Sequence, residues 1–295
     1  MLLALKKVSD GIARVCFLMA ATVSVLIVAG IVILLGRNTL LALRTVPLPE
    51  LLFGTNWNPV GYTGASYGTL PLLVSSLMVT SGAMAIAVPW GLMVAVYLSE
   101  VASERQRAIF KPIVELLAAV PSVIYGFLGL TITAPLIARL TGRSSGLNAL
   151  NAIIILAIMI LPTVISISDD ALKAVPRTYR EAARALGATR WQTIWGVVVK
   201  AARPGIVAAV MLGFGRAVGE TMAVLMAAGN APAMPHSLLD PVRPLTATIA
   251  IELGEVAWNT EHYYVLFALG FYLFLITLTV NLLAEPFIKR IKEAA

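Results

Sequence analysis

The chain has 295 residues, of which 59% are hydrophobic and 13% charged, with a formal net charge of +7. Soluble globular domains carry about 45–50% apolar and about 25% charged residues, so this composition excludes an ordinary soluble enzyme and points to a membrane protein. On such a chain the positive balance records basic cytoplasmic loops rather than a nucleic-acid surface. The single cysteine, Cys16, excludes a disulfide framework or a thiolate metal site within the chain.

A bilayer core takes roughly 17–25 apolar residues per helix, and six stretches qualify: Ile12–Leu35, Leu70–Leu98, Pro112–Ala138, Leu147–Ile167, Pro204–Ala228 and Tyr263–Pro286. The first follows Lys6-Lys7 as a signal peptide would, but it is too long and lacks a small-residue cleavage site, so an uncleaved helix is expected. With the N-terminus inside, sixteen basic residues fall in inside segments and five outside, with Arg216 left in the membrane. That bias places both termini in the cytoplasm.

Two outside loops are long, 36–69 and 229–262. In the second, Leu245, Ile249, Leu253 and Val256 recur at helical steps, with Glu252 and Glu255 off that face. This predicts a helix lying on the outer surface or dipping into it.

The inside loop, 168–203, is too organised for a plain connector. Pro176 suits a first helical turn. Tyr179, Ala182, Ala183 and Leu186 share one face, and Arg177, Arg180 and Arg184 another. Gly187 stands where a left-handed cap is wanted, and Thr189 with Gln192 forms a capping box for a second helix. Such a loop is either a solvated amphipathic segment or a docking element whose small alanines let a partner approach.

The fifth span reads LGFGRAVGETMAVLMAAGN over 212–230, with Arg216 and Glu220 near the middle. A charge at bilayer depth costs about 2.5–3.5 kcal/mol on insertion scales and usually faces the bundle interior. Four residues apart on one helix, the two are expected to pair, either to hold packing together or to present a guanidinium fork to an anion. Gly213, Gly215 and Gly219 leave room for a helix or a substrate. In the third span, Pro121-Ser122 with Tyr125 marks either a helix kink or a serine lining a cavity. Glu115 is expected at the interface.

No Gly-x-x-x-x-Gly-Lys-[Ser/Thr] occurs, so ATP hydrolysis would need another subunit. Residues 64–68, GASYG, match a hydrolase elbow, with Asp240 and His262 following in order. That elbow requires a strand and a helix of an α/β sheet, which an outside loop does not supply. His236 and His262 are read as surface residues without metal-ligand spacing.

Glu181-Ala182-Ala183 with Gly187 resembles the EAA loop of ABC-importer permeases. The aliphatic Val197-Val198-Val199 matches that family's continuation, but Lys200 stands where it has proline. The stretches YGTLPLLVSSLMVT, YLSEVAS, ELLAAVPSVIYGFLGL, GRAVGETMAVLMAAGN and TATIAIELGEVA resemble the phosphate-specific ABC transporter permeases, C-type (PstC-like). The resemblance covers Tyr67 to the C-terminus. It implies an all-α polytopic membrane protein with six transmembrane helices and the type I importer (MetI-like) fold. Residues 1–66 would form the first helix and outside loop, and 67–295 the permease domain. It implies a pathway through Arg216, Glu220, Thr221 and Ser122 for inorganic phosphate, and ATPase coupling through Glu181, Ala182, Ala183, Leu186 and Gly187. The implied partners are a PstA-like permease, a PstB-like ATPase dimer carrying ATP and Mg, a phosphate-binding protein and membrane lipid. No nucleic acid and no cofactor of its own are implied. The implied location is the bacterial inner membrane. Permeation of sulfate or molybdate, and a non-transporting sensor scaffold, are the rival readings.

Overall fold

The computed structural model describes residues 2–61 and 64–293, with side chains described for 13–61 and 64–282. The side chains of Lys6, Lys7, Lys289, Arg290 and Lys292, which entered the charge count, lie outside the described residues. Twelve helical segments follow in chain order. They are α1 Leu2–Ala42, α2 Leu48–Phe53, α3 Leu70–Val101, α4 Glu104–Ala119, α5 Ser122–Thr141 and α6 Ala149–Ala174, then α7 Arg177–Ala185, α8 Arg190–Ala201, α9 Arg203–Val218, α10 Met222–Ala227, α11 Leu245–Glu252 and α12 Glu261–Glu293. The segment between α2 and α3 adds one short hairpin, β1 Trp57–Asn58 antiparallel to β2 Ser66–Tyr67.

Among the described residues five helices are long and apolar enough to cross a membrane, and the pair α8–α9, bent by 68°, counts as a sixth when taken as one span. They are not equivalent. In α6, 61% of the most apolar window is buried inside the chain, whereas in α1 none is. Helix α6 is the axle of the bundle, packed by α3, α5, α9 and α10, while α1 lies outside and leans on α12. The α3–α6 seam is close because α3 offers small residues at four-residue steps, Ala83, Ala87 and Gly91. A Cβ on Gly91 would stand 2.8 Å from Val164.

Two expected spans are corrected. The third, Pro112–Ala138, is two helices. Helix α4 starts at a capping box of Ser103 with Gln106 and stops at Val120, which is extended because Pro121 follows. Only α5, beginning at Ser122, is membrane-length and apolar. Glu115 stays exposed on α4, 3.9 Å from Lys111. The fifth, Pro204–Ala228, breaks after Val218, and α10 is a separate short helix packed on α5 and α6.

The helix expected around 245–256 forms as α11. Its first residues, Leu245 to Thr248, are buried, so it dips into the bundle rather than lying on it.

Candidate functional site

The break after α9 has an identifiable chemistry. Gly219 ends the helix, and the Glu220 side chain turns forward, its Oε1 accepting from the Ala223 N–H at 3.0 Å. The Glu220 carbonyl accepts from Thr246 Oγ1 at 2.8 Å. Backbone groups freed inside an apolar layer must find protein partners, and here α11 and a carboxylate provide them. The Thr221 hydroxyl donates to the Gly219 carbonyl at 3.3 Å. Thr221 lines a groove of about 660 Å³ with Gly219, Thr246 and Ile249.

The expected Arg216–Glu220 pair is therefore absent among the described residues. The four-residue spacing brings two side chains together only where the helix continues, and it ends between them. Arg216 reaches Thr163 of α6 instead, Nη1 to Oγ1 at 3.4 Å. It is a half-buried guanidinium with no carboxylate partner among the described residues. Of the three glycines, Gly213 packs on Ile160 and Val164, while Gly215 meets open space. Ser122 opens α5, half-buried, and no hydrogen bond joins it to Arg216 among the described residues.

Deeper in the bundle, fully buried Asn151 donates to the Gly129 carbonyl of α5 at 3.1 Å and the Ala227 carbonyl of α10 at 3.0 Å. Thr133 completes this node by donating to Asn151 Oδ1. Asn151 thus ties the short helix after the break to the bundle.

At the other end of the bundle lies α7. Gly187 has φ +84°, and the Ala188 N–H reaches the Ala183 carbonyl at 3.1 Å, so the left-handed cap is present. Thr189 and Gln192 close their capping box. Leu186 is 89% exposed, and Tyr179, Glu181, Ala182 and Gly187 are exposed beside it, whereas Ala183 turns inward. The turn thus carries an exposed apolar tip between two caps.

Arg180 is the half-buried member of the arginine face, while Arg177 and Arg184 are exposed. Its fork grips Glu100 at 2.6 and 3.2 Å and caps the end of α6 through the Leu172 and Val175 carbonyls. Arg190 adds a bond to the Glu100 carbonyl. Nearby, Asp169 is 1% exposed and accepts from Arg107 at 3.0 Å, Lys111 at 3.3 Å and Lys173 at 2.6 Å. The bond from Lys111 to Asp170, above all, raises the Lys111 pKa.

The loops at the end of the bundle away from α7 hold a third cluster. Glu252 accepts from Trp57 Nε1 at 3.0 Å and Arg243 at 2.8 Å, and lies 2.8 Å from His262 Nε2. His262 is therefore not a surface residue, while His236 is. Ser66 bonds Asn56, and Asp240 accepts from the N–H groups of His236 and Ser237. The three residues in hydrolase order thus sit in three different hydrogen-bond settings.

Residues 87–293 match the family model described as binding-protein-dependent transport system inner membrane component. The chain belongs to this family. The permease is 38% identical to the probable ABC transporter permease protein YqgH of Bacillus subtilis, covering 90% of this chain and 84% of the relative. It is 36% identical to the phosphate transport system permease protein PstC of Pasteurella multocida, covering 83% and 81%. It is also 36% identical to PstC of Xylella fastidiosa, covering 95% and 89%. Among solved structures, a chain of the MetNI methionine ABC transporter in inward-facing conformations superposes with a TM-score of 0.57 at 20% identity, covering 76% of this chain and 94% of that one. A bacterial ABC transporter involved in alginate import gives 0.56 at 17%, covering 75% and 79%. At those identities the likeness speaks to the fold, which is that of MetI-like importer permeases.

Several residues that organise this permease had faint signals in the sequence. Asn151 is a polar residue inside an apolar span, and Asp169 closes one. Glu100 and Glu252 find partners 80 and 195 residues away, a range that no local pattern encodes.

Proposed function

We propose that this permease is the C-type membrane subunit of an ATP-driven inorganic phosphate importer, forming half of the translocation pathway. The observation that carries this reading is its 36% identity, over most of both chains, to phosphate transport system permeases. A PstA-like permease would complete the pathway, a PstB-like ATPase dimer would hydrolyse Mg-bound ATP, and a phosphate-binding protein would deliver substrate outside. The complex would sit in the bacterial inner membrane with both termini cytoplasmic.

Arg216 is the residue we assign to the anion. Phosphate cannot enter hydrocarbon bare, and a guanidinium fork matches its oxygens. A guanidinium already engaged by a carboxylate would have to release it first, whereas Arg216 has no ion partner among the described residues. Thr221 and Ser122 would line the path near the two helix breaks. Glu220 positions the chain beyond the break through Ala223 and Thr246. On the inside, the exposed tip around Glu181–Gly187 would sit on the ATPase, and its motion would reach the bundle through Arg180 and Glu100.

The test is labelled-phosphate uptake by vesicles carrying the whole complex. Arg216→Gln should lower uptake at least tenfold while assembly and basal ATP hydrolysis persist. Wild-type uptake by the variant would remove Arg216 from the pathway. Stronger inhibition of wild-type uptake by sulfate or molybdate than by unlabelled phosphate would remove the phosphate assignment.

A further inference from the structure

A cavity of about 640 Å³ lies beneath α7, where α3 and α6 end and α4 begins. Its walls carry five cationic side chains, Arg107, Lys173, Arg177, Arg180 and Arg184, against two carboxylates, Glu100 and Glu181. Residues 180 and 181 stand three and four positions after 177, and four and three before 184, so α7 contributes a continuous face to it.

The charges do not cancel. Arg180 consumes Glu100. Arg107 and Lys173 converge on Asp169, which also serves Lys111. Arg177 and Arg184 have no ion-pair partner among the described residues. A concave surface lined by excess charge of one sign concentrates counter-ions. Four of its five cations are guanidinium groups, whose planar forks pair two donors with two oxygens of a phosphate.

We propose that this cavity is a binding site for a phosphate group, separate from the pathway residue Arg216. Its volume exceeds one bare phosphate, so either the hydrated free anion or the headgroup of an anionic phospholipid fits. A bound phosphate group would join Arg177 and Arg184 of α7 to Arg107 of α4 and Lys173 of α6. It would thereby tie the exposed turn at Leu186–Gly187 to the bundle. The inference does not depend on which anion the pathway carries.

The test uses the full chain in nanodiscs, wild type against the double variant Arg177→Gln/Arg184→Gln. Both arginines are exposed, and gel filtration checks that the variant remains intact. In phosphatidylcholine discs, labelled inorganic phosphate should bind the double variant at least tenfold more weakly than wild type, with Arg216→Gln retaining that binding. This result identifies free phosphate. In discs containing phosphatidylglycerol, equal phosphate binding but loss of retained phosphatidylglycerol from the double variant, read by native mass spectrometry, identifies the headgroup. Unchanged binding of both probes in the double variant overturns the site. So does phosphate binding that only Arg216→Gln abolishes. Loss of uptake in the whole complex moves neither readout, which keeps this test apart from that of the pathway.

Discussion

Glu100 and Glu252 are both mostly buried carboxylates held by arginine, one at the α7 end of the bundle (the inner clasp) and one among the loops at the opposite end (the outer clasp). Their side chains are 10% and 13% exposed, those of their partners Arg180 and Arg243 16% and 18%. The partners differ in what they join. Arg180 spends its whole fork on one junction, Glu100 plus the last carbonyls of α6, so it welds α7 to the bundle at a single point. Glu252 spreads over Trp57, Arg243 and His262, and Arg243 also holds the Asn230 carbonyl at 2.9 Å. The inner clasp suits a part that passes motion on. The outer clasp suits loops that are to be kept in register with one another.

The comparison can be broken where it is most exposed. Removing one partner of a buried ion pair costs about 3–5 kcal/mol, because the other charge stays buried. Arg180→Ala should therefore give the largest loss in thermal stability of the complex. It should also lower the ratio of phosphate taken up to ATP hydrolysed. An unchanged ratio would mean that the inner clasp is only a weld.

A smaller effect is expected outside. Glu252→Gln keeps an oxygen for one donor, so the loss should be about 1.5–3 kcal/mol, the range for hydrogen bonds to a charged group. Proteolysis of the outer loops should quicken while the uptake-to-hydrolysis ratio holds. A fall in that ratio matching Arg180→Ala would erase the distinction between the ends.

The smallest change sharpens the inner side. Thr189→Ala removes the cap of the helix whose first residue, Arg190, bonds Glu100, and should cost about 1 kcal/mol. A melting curve superimposable on wild type would show that the capping box adds nothing to the clasp.

The same two regions show what a sequence makes legible. Gly187 and the Thr189–Gln192 box could be read because caps are local: the residues that need each other are at most a turn apart. The spans could be read because burial in lipid depends on composition. The break at Gly219 could not, since an apolar count does not register whether the backbone continues, and the group that satisfies the Glu220 carbonyl is Thr246, 26 residues on. The expected Arg216–Glu220 pair fell with that break. Likewise, the position of Arg180 on the arginine face of α7 was legible, but its partner was not. The site was thus legible in its residue types and turns, and hidden in its long-range partners.

Helix α1 carries a consequence for the order of assembly. It buries none of its apolar window against the rest of the chain, and a helix satisfies its own backbone within lipid. It can therefore stand across the membrane as a helix while the ribosome is still making the remainder, and only the packing of its end at Ala42 waits for α12. Helix α6 cannot, because α9 and α10, which cover it, are synthesised later. The chain comes out with its outrigger inserted first and its axle waiting for the last third of the sequence.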